Sequence, residues 1–342
     1  MIKLRCLIVS TYPPMKCGIG KYAFQMARTL QQSGDIVNIL TPYEGDGDFT
    51  ANLKGSFNFL KIGKYGNFYD KIIIQYHQAF FYDNLSWRSA LSVLATHIAF
   101  YINFLIYRNK IEVVVHEIPF NIASRLDHRV ESFKWRLCPK LIFHTPKELA
   151  NFEKCYFILT PNKYELQAPH EYYYKFKDIN KNDARTELGL PLDVLLFLSI
   201  GFIQPHKGFD RAIRAFKKAN NKKMRLYVVG SLRVEWEPYI AHLQDLKTLA
   251  EENSNIHVIE KYLSDEEFDT WITACDVLIV PYREIWSSAV VGRAKLFGKP
   301  VIASDIGGLK DQLDDIDILF NDDEELEFIF DCFKWLIDAK SA

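Results

Sequence analysis

The sequence predicts an α/β protein of two doubly wound domains that face each other across a cleft. The chain has 342 residues, which is enough for two domains with separate cores. Short runs rich in β-branched and aromatic residues alternate with longer stretches of helical periodicity, as in parallel sheets covered by helices. A polar stretch over 161–190 separates two such sets. We therefore expect one domain over 1–175 and a second over 176–342.

Each domain is expected to contain five strands. In the first domain the apolar runs that predict them are 3–10, 35–40, 71–76, 112–117 and 140–145. In the second domain they are 193–200, 224–230, 255–260, 276–282 and 300–305. Ligands of open parallel sheets bind beyond the carboxyl ends of the strands, so functional residues are expected directly after these runs.

One predicted helix is unusually apolar. Residues 89–107 contain no Asp, Glu, Lys or Arg, and Arg88, Arg108 and Lys110 flank them. The segment lies between two expected strands of one sheet, where a crossover helix is required. Its length also approaches that of a membrane span, and an interfacial helix on a bilayer with basic flanks is a third interpretation.

Composition narrows the class of protein. Hydrophobic residues make up 49% and charged residues 25% of the chain, as in globular proteins without disordered tracts. The six cysteines lie far apart without a CxxC pair, which argues against a disulfide framework and a zinc site. The first apolar run is too short for a signal peptide. We expect a cytoplasmic protein without a metal, and no nucleic-acid partner.

Charge divides unevenly along the chain. Residues 1–178 contain 22 Lys and Arg against 15 Asp and Glu, whereas residues 179–342 contain 20 against 28. The N-terminal part therefore carries about +7 and the C-terminal part about −8, which suggests surfaces for different partners. Accidental composition is the alternative interpretation.

Polar and glycine residues follow several strands of the first domain. Gly18 and Gly20 precede a helix whose N-terminus would favour anions, although their spacing is not GxGxxG and also suits an ordinary turn. His77, His116 and His144 stand at three strand ends, where a lone histidine would be a weak signal. His116, next to Glu117, is the best candidate to orient an acceptor hydroxyl or take its proton.

The second domain offers a cation and a set of oxygen ligands. Lys207 lies between a strand and a helix in GFIQPHKG, where it can meet phosphate oxygens. After a later strand, Glu284 offers an acceptor for sugar hydroxyls. Ser287 and Ser288 offer hydroxyls and amides at the start of a helix.

These segments together resemble the retaining, nucleotide-sugar-dependent glycosyltransferases of the GT-B fold, of the family-4 or group 1 type, whose domains are Rossmann-like. The matching motifs occur in order along residues 8–310: YPP…CGIGKY, VVVHEIP, APHE (usually PHG), GFIQPHKGFDRAI, LYVVGS, YLSDEEF…ACDVLIVPY and FGKPVIASDIGGL.

The resemblance implies a role for each matching residue. Lys207 would neutralise the donor diphosphate without a metal, and Glu284 would contact the transferred sugar. His116, Lys207 and Glu284 would then be the catalytic residues. The other expected donor-binding residues are Gly18 and Gly20 beside the diphosphate, Gly201 in the lysine loop, Tyr262 and Leu263 along the nucleobase, Ser287, Ser288 and Ala289 at the phosphates, and Arg293. The acceptor side would comprise His77, His116, Glu117 and His144.

The sequence departs from the family pattern at three positions. The arginine that usually accompanies the lysine is replaced by Phe202, and its position in a related subgroup is occupied by Gln204. Arg293 stands where the family has a second glutamate. We expect that Arg293 either turns toward the donor phosphates or faces solvent in a weakened homologue.

The implied activity is transfer of a hexose from a nucleoside diphosphate sugar to a hydroxyl acceptor, with retention, and without a cofactor beyond this co-substrate. The acceptor would be a cell-surface polysaccharide or a lipid-linked glycan precursor, which suggests peripheral contact with the inner face of a membrane. Two alternatives stay open: a sugar-nucleotide-binding protein without full activity, and a nucleotide-sugar epimerase.

Overall fold

The computed structural model describes residues 3–42, 45–82, 90–116, 125–156, 164–167, 172–219, 221–285 and 287–339. The chain divides into two compact units, residues 1–172 (unit 1) and 173–342 (unit 2). Each unit is a parallel sheet with helices, so the predicted fold class, two doubly wound Rossmann-like domains, is confirmed.

Unit 1 contains a seven-stranded parallel sheet in the order β3-β2-β1-β4-β5-β6-β7. Its strands are β1 Arg5–Val9, β2 Ile36–Thr41, β3 Phe49–Thr50, β4 Lys71–Tyr76, β5 Ile111–Val115, β6 Leu141–Phe143 and β7 Tyr164–Leu166. Its described helices are α1 Gly18–Gln32, α2 Gly63–Gly66, α3 Gln78–Phe81, α4 Ala90–Ile106, α5 Arg125–Leu137 and α6 Pro146–Tyr156.

Unit 2 contains a six-stranded parallel sheet in the order β10-β9-β8-β11-β12-β13. Its strands are β8 Leu195–Ile200, β9 Met224–Gly230, β10 Ile256–Glu260, β11 Val277–Val280, β12 Val301–Ser304 and β13 Ile318–Phe320. Its described helices are α7 Lys181–Glu187, α8 Phe209–Ala219, α9 Glu237–Glu251, α10 Asp265–Ala274, α11 Ala289–Leu296 and α12 Asp323–Ala339.

The strand order shows where each sheet has its switch point, beyond which a ligand can bind. In unit 1 the chain leaves β1 toward one side of the sheet and β4 toward the other, and in unit 2 the same reversal occurs between β8 and β11. The loops that follow two adjacent strands run in opposite directions at such a switch point, and the crevice between them leaves room for a ligand. The segments after β1, β4, β8 and β11 are therefore those to search for a site.

The apolar runs predicted ten strands, and all ten are present with ends within two residues of those expected. Three short strands, β3, β7 and β13, were not predicted. The apolar segment forms α4, whose inner side is buried through Ala99, Phe100 and Phe104. No helix among the described residues has both the length and the apolar character needed to cross a bilayer.

A buried charge cluster fastens α4 and α5 to the end of β4. The Lys134 side chain is fully buried, pairs with Glu131, and donates hydrogen bonds to the hydroxyls of Tyr76 (2.8 Å) and Tyr82 (3.2 Å). His97 Nε2 of α4 lies 3.5 Å from the Glu131 carboxylate. Burial, and then the Lys134 charge, lower the pKa of His97 to about 3, so His97 is neutral at pH 7 and Lys134 is the cation that pairs with Glu131 among the described residues.

We expect Lys134→Met to lower the free energy of unfolding by about 3–5 kcal/mol, because it leaves a buried carboxylate without its cation. Urea denaturation followed by circular dichroism measures the loss. The matched control is Lys64→Met, since Lys64 is exposed on α2 and its loss should cost less than about 0.5 kcal/mol. Equal stability of the two variants would contradict a compensating role for Lys134.

Candidate functional site

Two glycines bring the ends of β8 and β9 into backbone contact. Gly201 follows β8 with a φ of +130°, and Gly230 ends β9. A Cβ atom added at Gly230 would lie 1.7 Å from the Gly201 carbonyl oxygen. Added at Gly201, it would lie 3.7 Å from Cγ2 of Val290 in the first turn of α11. The loop after β8 therefore begins beside the N-terminus of α11.

That loop contains a 3₁₀ turn, Pro205–Lys207, which ends at Gly208 in the left-handed conformation (φ +62°). A Cβ atom at Gly208 would lie 2.0 Å from the Pro281 carbonyl oxygen. Only glycine therefore allows the turn to pack this closely on the segment after β11. The lysine turn and the β11 loop form one structural element at the switch point of unit 2.

Two arginines hold these segments together. Arg283 Nη1 and Nη2 donate to the two carboxylate oxygens of Asp210 at 2.7 and 2.8 Å, and Nη1 also donates to the Pro205 carbonyl. Arg211 Nη1 donates to the carbonyl oxygens of Pro281 and Tyr282, both at 3.1 Å. The positions of the turn and the loop are thus fixed by side chains of both.

Lys207 is the cation that this arrangement leaves available. Its side chain is partly exposed, and Nζ lies 4.0 Å from the centroid of the Tyr282 ring. Among the described residues no carboxylate pairs with it. Burial, and then the Lys207 charge, lower the pKa of the neighbouring His206 to about 4, so the histidine is neutral at pH 7. The turn therefore presents one uncompensated positive charge.

The other predicted residues of this loop have different environments. Glu284 is exposed directly after Arg283, and Ser287 is half-buried. The Ser288 hydroxyl caps α11 by accepting a hydrogen bond from the Val291 amide, and the Ser288 amide donates to Gln312 Oε1 at 2.7 Å. The Ser288 hydroxyl thus already has a structural partner. Ala289 opens α11 and is exposed.

Tyr262 and Leu263 follow β10, the edge strand of the unit 2 sheet. The Tyr262 side chain is 40% exposed, whereas Leu263 is buried in the core of the unit. Strand β9 lies between β10 and β8, whereas β11 is paired directly with β8. These two residues therefore follow a strand that is farther from the Lys207 turn than β11 is.

Arg293 corrects an expectation from the sequence. Its guanidinium donates to Asp269 Oδ1 (2.7 Å, from Nε) and to Asp265 Oδ1 (3.2 Å, from Nη1) on α10, and the residue is 7% exposed. Asp269 also accepts the amides of Phe176 and Lys177. Arg293 therefore does not face solvent, and two carboxylates of its own unit compensate its charge. The alternative that it contacts the donor phosphates stays a prediction.

In unit 1 the predicted glycines begin α1 directly after the β1 loop. A Cβ atom at Gly20 would lie 3.1 Å from the Thr11 carbonyl oxygen, whereas at Gly18 it would meet no atom within 4 Å. Gly20 therefore serves close packing of α1 against the β1 loop, and Gly18 leaves open space at the start of the helix.

The strand ends of unit 1 bring two histidines together. The rings of His116, after β5, and His144, after β6, have centroids 5.2 Å apart. Tyr22 of α1 meets both edge-on, at 5.5 and 5.2 Å. His77 caps α3, because its Nδ1 accepts the Ala79 amide. Glu117, expected to tune His116, lies outside the described residues.

Both paired histidines are neutral near pH 7. Burial, and then the neighbouring His144 and His77, lower the pKa of His116 well below its usual range. Burial also lowers the pKa of His144. Neutral imidazoles can accept a proton or a hydrogen bond from a hydroxyl group, so this pair suits recognition of hydroxyl groups.

Within the described parts of the chain, no cluster of three or more His, Cys, Asp or Glu side chains has a geometry that could hold a metal ion. Each unit therefore has its own candidate site at its strand ends: the histidine pair in unit 1, and the Lys207 turn with the β11 loop in unit 2.

Sequence reasoning missed the residues that position this site. Asp210 and Arg211 lie side by side shortly after Lys207, and Arg283 directly precedes Glu284, so nearness to the predicted site residues was the available signal. Gln75 is a polar residue within the apolar strand KIIIQY, and it is fully buried. A polar residue in a buried strand needs a partner, which points to a site.

Residues 180–326 match the family described as glycosyl transferases group 1. The curated relatives include D-inositol 3-phosphate glycosyltransferase 2 of Catenulispora acidiphila, which is 27% identical over 177 residues. That match covers 50% of this chain and 41% of the relative. This chain therefore aligns with less than half the length of that relative.

Solved structures show the same fold over nearly the whole chain. HepE of Anabaena in complex with UDP-glucose has a TM-score of 0.70 at 16% identity, covering 96% of this chain and 89% of HepE. WaaG, a glycosyltransferase involved in lipopolysaccharide biosynthesis, has a TM-score of 0.64 at 17% identity, with 97% and 90% covered. The fold of this chain is that of the GT-B glycosyltransferases.

We expect Arg293→Met to lower the free energy of unfolding by about 3–5 kcal/mol, because Asp269 is fully buried and would lose its cation. Urea denaturation gives the stability. Arg214→Met, at an exposed position of α8, is the control and should leave the stability unchanged. Equal stability of the Arg293 and Arg214 variants would contradict a compensating role for Arg293.

Proposed function

We propose that this protein is a hexosyltransferase that moves a sugar from a nucleoside diphosphate sugar to an acceptor hydroxyl, with retention of configuration and without a metal. The observation that carries the proposal is the uncompensated Lys207 ammonium, fixed at the switch point of unit 2. The family match over residues 180–326 and the UDP-glucose complex of HepE support a nucleotide-sugar donor at this edge.

Lys207 acts on the donor diphosphate. As the bond between the sugar C1 and the phosphate oxygen breaks, negative charge grows on the departing diphosphate. A cation already held in place stabilises this charge without reorganising in the transition state. The start of α11 beside Gly201 adds backbone amides to the same region. With Lys207 in this role, no metal ion is required for charge neutralisation.

Glu284 and the residues of unit 1 act on the two sugars. The exposed Glu284 carboxylate accepts hydrogen bonds from hydroxyls of the transferred hexose. His77, His116, Glu117 and His144 form the acceptor side, where His116 orients the attacking hydroxyl. The oxygen of this hydroxyl forms the new bond to C1 on the face from which the phosphate departs. An oxygen of the departing phosphate takes the hydroxyl proton.

Phe202 and Gln204, where an arginine is usual, leave Lys207 without a second cation in the motif. A sugar-nucleotide-binding protein without full activity is the corresponding second candidate. Incubation with UDP-glucose separates the candidates: transfer or donor hydrolysis supports the enzyme, and binding without turnover supports the second. Release of an epimerised sugar nucleotide would point to an epimerase.

A surface on unit 1 supports an acceptor at a membrane. Exposed aliphatic side chains follow one another along α4 at intervals of three or four residues, which places them on one helix face. They are Leu91, Leu94, Ile98, Ile102 and Leu105, with Ile106 beside them. Phe133 of α5, which is 50% exposed and packs on Tyr101, extends this apolar face.

Several exposed basic residues lie on α5 and on segments next to α4 in the chain or packed against it. They are Lys61 and Lys64 near α2, Arg108 after α4, and Arg129 and Arg136 on α5. Among the described side chains of α4 and α5 the one acid is Glu131, which is buried. An apolar face with basic residues on the same and neighbouring elements fits a bilayer with anionic headgroups, on which α4 would lie in the interfacial plane.

We therefore propose a lipid-linked glycan precursor or a growing cell-surface polysaccharide as acceptor, and the cytoplasmic face of a membrane as location. The part that WaaG plays in lipopolysaccharide biosynthesis is consistent with such an acceptor. The excess of basic residues in the N-terminal part of the chain also favours attraction to an anionic membrane surface.

We expect Lys207→Met to weaken UDP binding about 10- to 100-fold, because a charge-assisted contact contributes about 1.5–3 kcal/mol. Isothermal titration calorimetry measures the affinity, and thermal unfolding without ligand should be unchanged. Lys222→Met, at an exposed lysine of unit 2, is the control and should bind UDP normally. Equal affinities of the Lys207 and Lys222 variants would refute the assignment of Lys207.

We expect the double variant Leu94→Glu and Ile98→Glu to reduce sedimentation with phosphatidylglycerol vesicles about 10-fold, because both side chains would otherwise enter the interface. Binding of the unmodified protein should weaken as salt rises. The control is Phe328→Glu on α12 of unit 2, where Phe328 is 69% exposed but has no part in this surface. Failure of the unmodified protein to sediment at low salt would contradict the membrane contact.

A further inference from the structure

Gln75 is a buried amide that contacts the histidine pair. It lies near the end of β4, is fully buried, and its Oε1 is 2.6 Å from His116 Nε2. At the other end of the amide, Nε2 donates to the sulfur of Met26 at 3.4 Å. The amide oxygen therefore faces His116, and the NH₂ group faces the thioether.

This contact fixes where His116 carries its proton. A carbonyl oxygen only accepts hydrogen bonds, so the nitrogen facing it must be protonated. His116 Nε2 is thus the donor, and the lone pair of the neutral ring is on Nδ1. Within the described residues Nδ1 has no hydrogen-bond partner, so the lone pair is available to a ligand.

His144 is fixed in the opposite tautomer. Its Nδ1 lies 3.0 Å from the backbone carbonyl oxygen of Gln167, so Nδ1 is protonated and the lone pair is on Nε2. The two rings, with centroids 5.2 Å apart, therefore each have one nitrogen with a lone pair.

The surroundings keep both rings uncharged. The titratable groups that face His116 are Tyr22 from α1, His77 after β4 and His144 after β6. None of them is anionic at neutral pH, and Glu117 follows in the chain outside the described residues. Burial lowers the pKa of both paired histidines, so they remain neutral acceptors of hydrogen bonds.

We propose that Gln75 is a positioning residue that holds His116 in the Nε2-protonated tautomer, so that His116 and His144 offer two lone pairs to a neutral, hydroxyl-bearing part of the acceptor. The inference rests on the proposed function and specifies its acceptor. Hydroxyl groups donate to both nitrogens, whereas phosphate or carboxylate oxygens would meet lone pairs and be repelled. The groups of the acceptor that bind at this pair are therefore uncharged hydroxyls.

The test is the ¹⁵N spectrum of the imidazoles, assigned with His116→Asn and His144→Asn variants. In the unmodified protein at pH 7 we expect His116 to show a protonated Nε2 and a bare Nδ1, and His144 the reverse. A bare Nε2 on His116 would overturn the inference. This measurement needs no turnover, so its failure is distinct from failure of the proposed transferase, which would be absence of transfer.

Gln75→Glu gives a sharper result because it keeps the side-chain size. The introduced carboxylate, when ionised, would hold a proton on His116 and charge the ring. When protonated, the introduced carboxyl group would donate to Nε2 and move the ring proton to Nδ1. Either form removes the Nδ1 lone pair at pH 7. The lone pair should return at about pH 9, once the shared proton has left the pair.

Two further variants are controls for the effect of Gln75→Glu. Gln75→Met removes the oxygen without adding charge, and His116 should then show a mixture of both tautomers. Gln25→Glu adds a carboxylate at another buried amide of unit 1 and should leave the His116 spectrum unchanged. A Gln75→Glu spectrum identical to that of the unmodified protein would overturn the positioning role.

The probes for the ligand class are methyl glucoside, galactoside and mannoside, each compared with its 6-phosphate. We expect at least one neutral glycoside to shift the His116 Nδ1 and His144 Nε2 signals, and the shift to weaken at least about fivefold in Gln75→Glu at pH 7. Shifts caused by the phosphates alone, or by none of the six sugars, would refute the role assigned to the pair.

Discussion

The ion pair between Arg283 and Asp210 is the interaction on which the unit 2 site depends. Arg283 follows β11 and Asp210 opens α8, so two parallel hydrogen bonds join the loop after one strand to the helix after another. Gly208 lets the turn between them touch the Pro281 carbonyl. Lys207 is therefore held on a fixed turn, and a cation needs such preorganisation to stabilise developing charge.

Lys207 and Arg293 are two cations of unit 2 that have different roles. Arg293 is buried against Asp265 and Asp269, whose carboxylates compensate its charge. Asp269 in turn accepts the Phe176 amide from the segment before α7. Lys207 has an aromatic ring beneath it and, among the described residues, no carboxylate. A cation that its own unit leaves uncompensated is the one that can attract a diphosphate.

Strand positions could be predicted from the sequence because a buried strand forms an apolar run, and even the three residues of β6 are all buried. The strands β3, β7 and β13 could not, since each has two or three residues of which at most one is buried. The rule that ligands bind beyond strand ends predicted Lys207 and His116 as candidate site residues. It could not find the partners of Arg293, because an ion pair across 24 residues depends on how α10 packs against α11.

In this chain the net charge of each part differs in sign or kind from the charge of the groups at its candidate site. The acidic C-terminal part holds the uncompensated cation, whereas the basic N-terminal part holds two neutral imidazoles. Some of the exposed basic residues of unit 1 lie on α5 and next to α4, the helices that carry the apolar face. Net charge is a sum over all ionised side chains, most of them exposed, and it governs long-range attraction to a surface. Chemistry at a strand end depends on a few groups. Burial and hydrogen bonding determine whether each of these groups is charged.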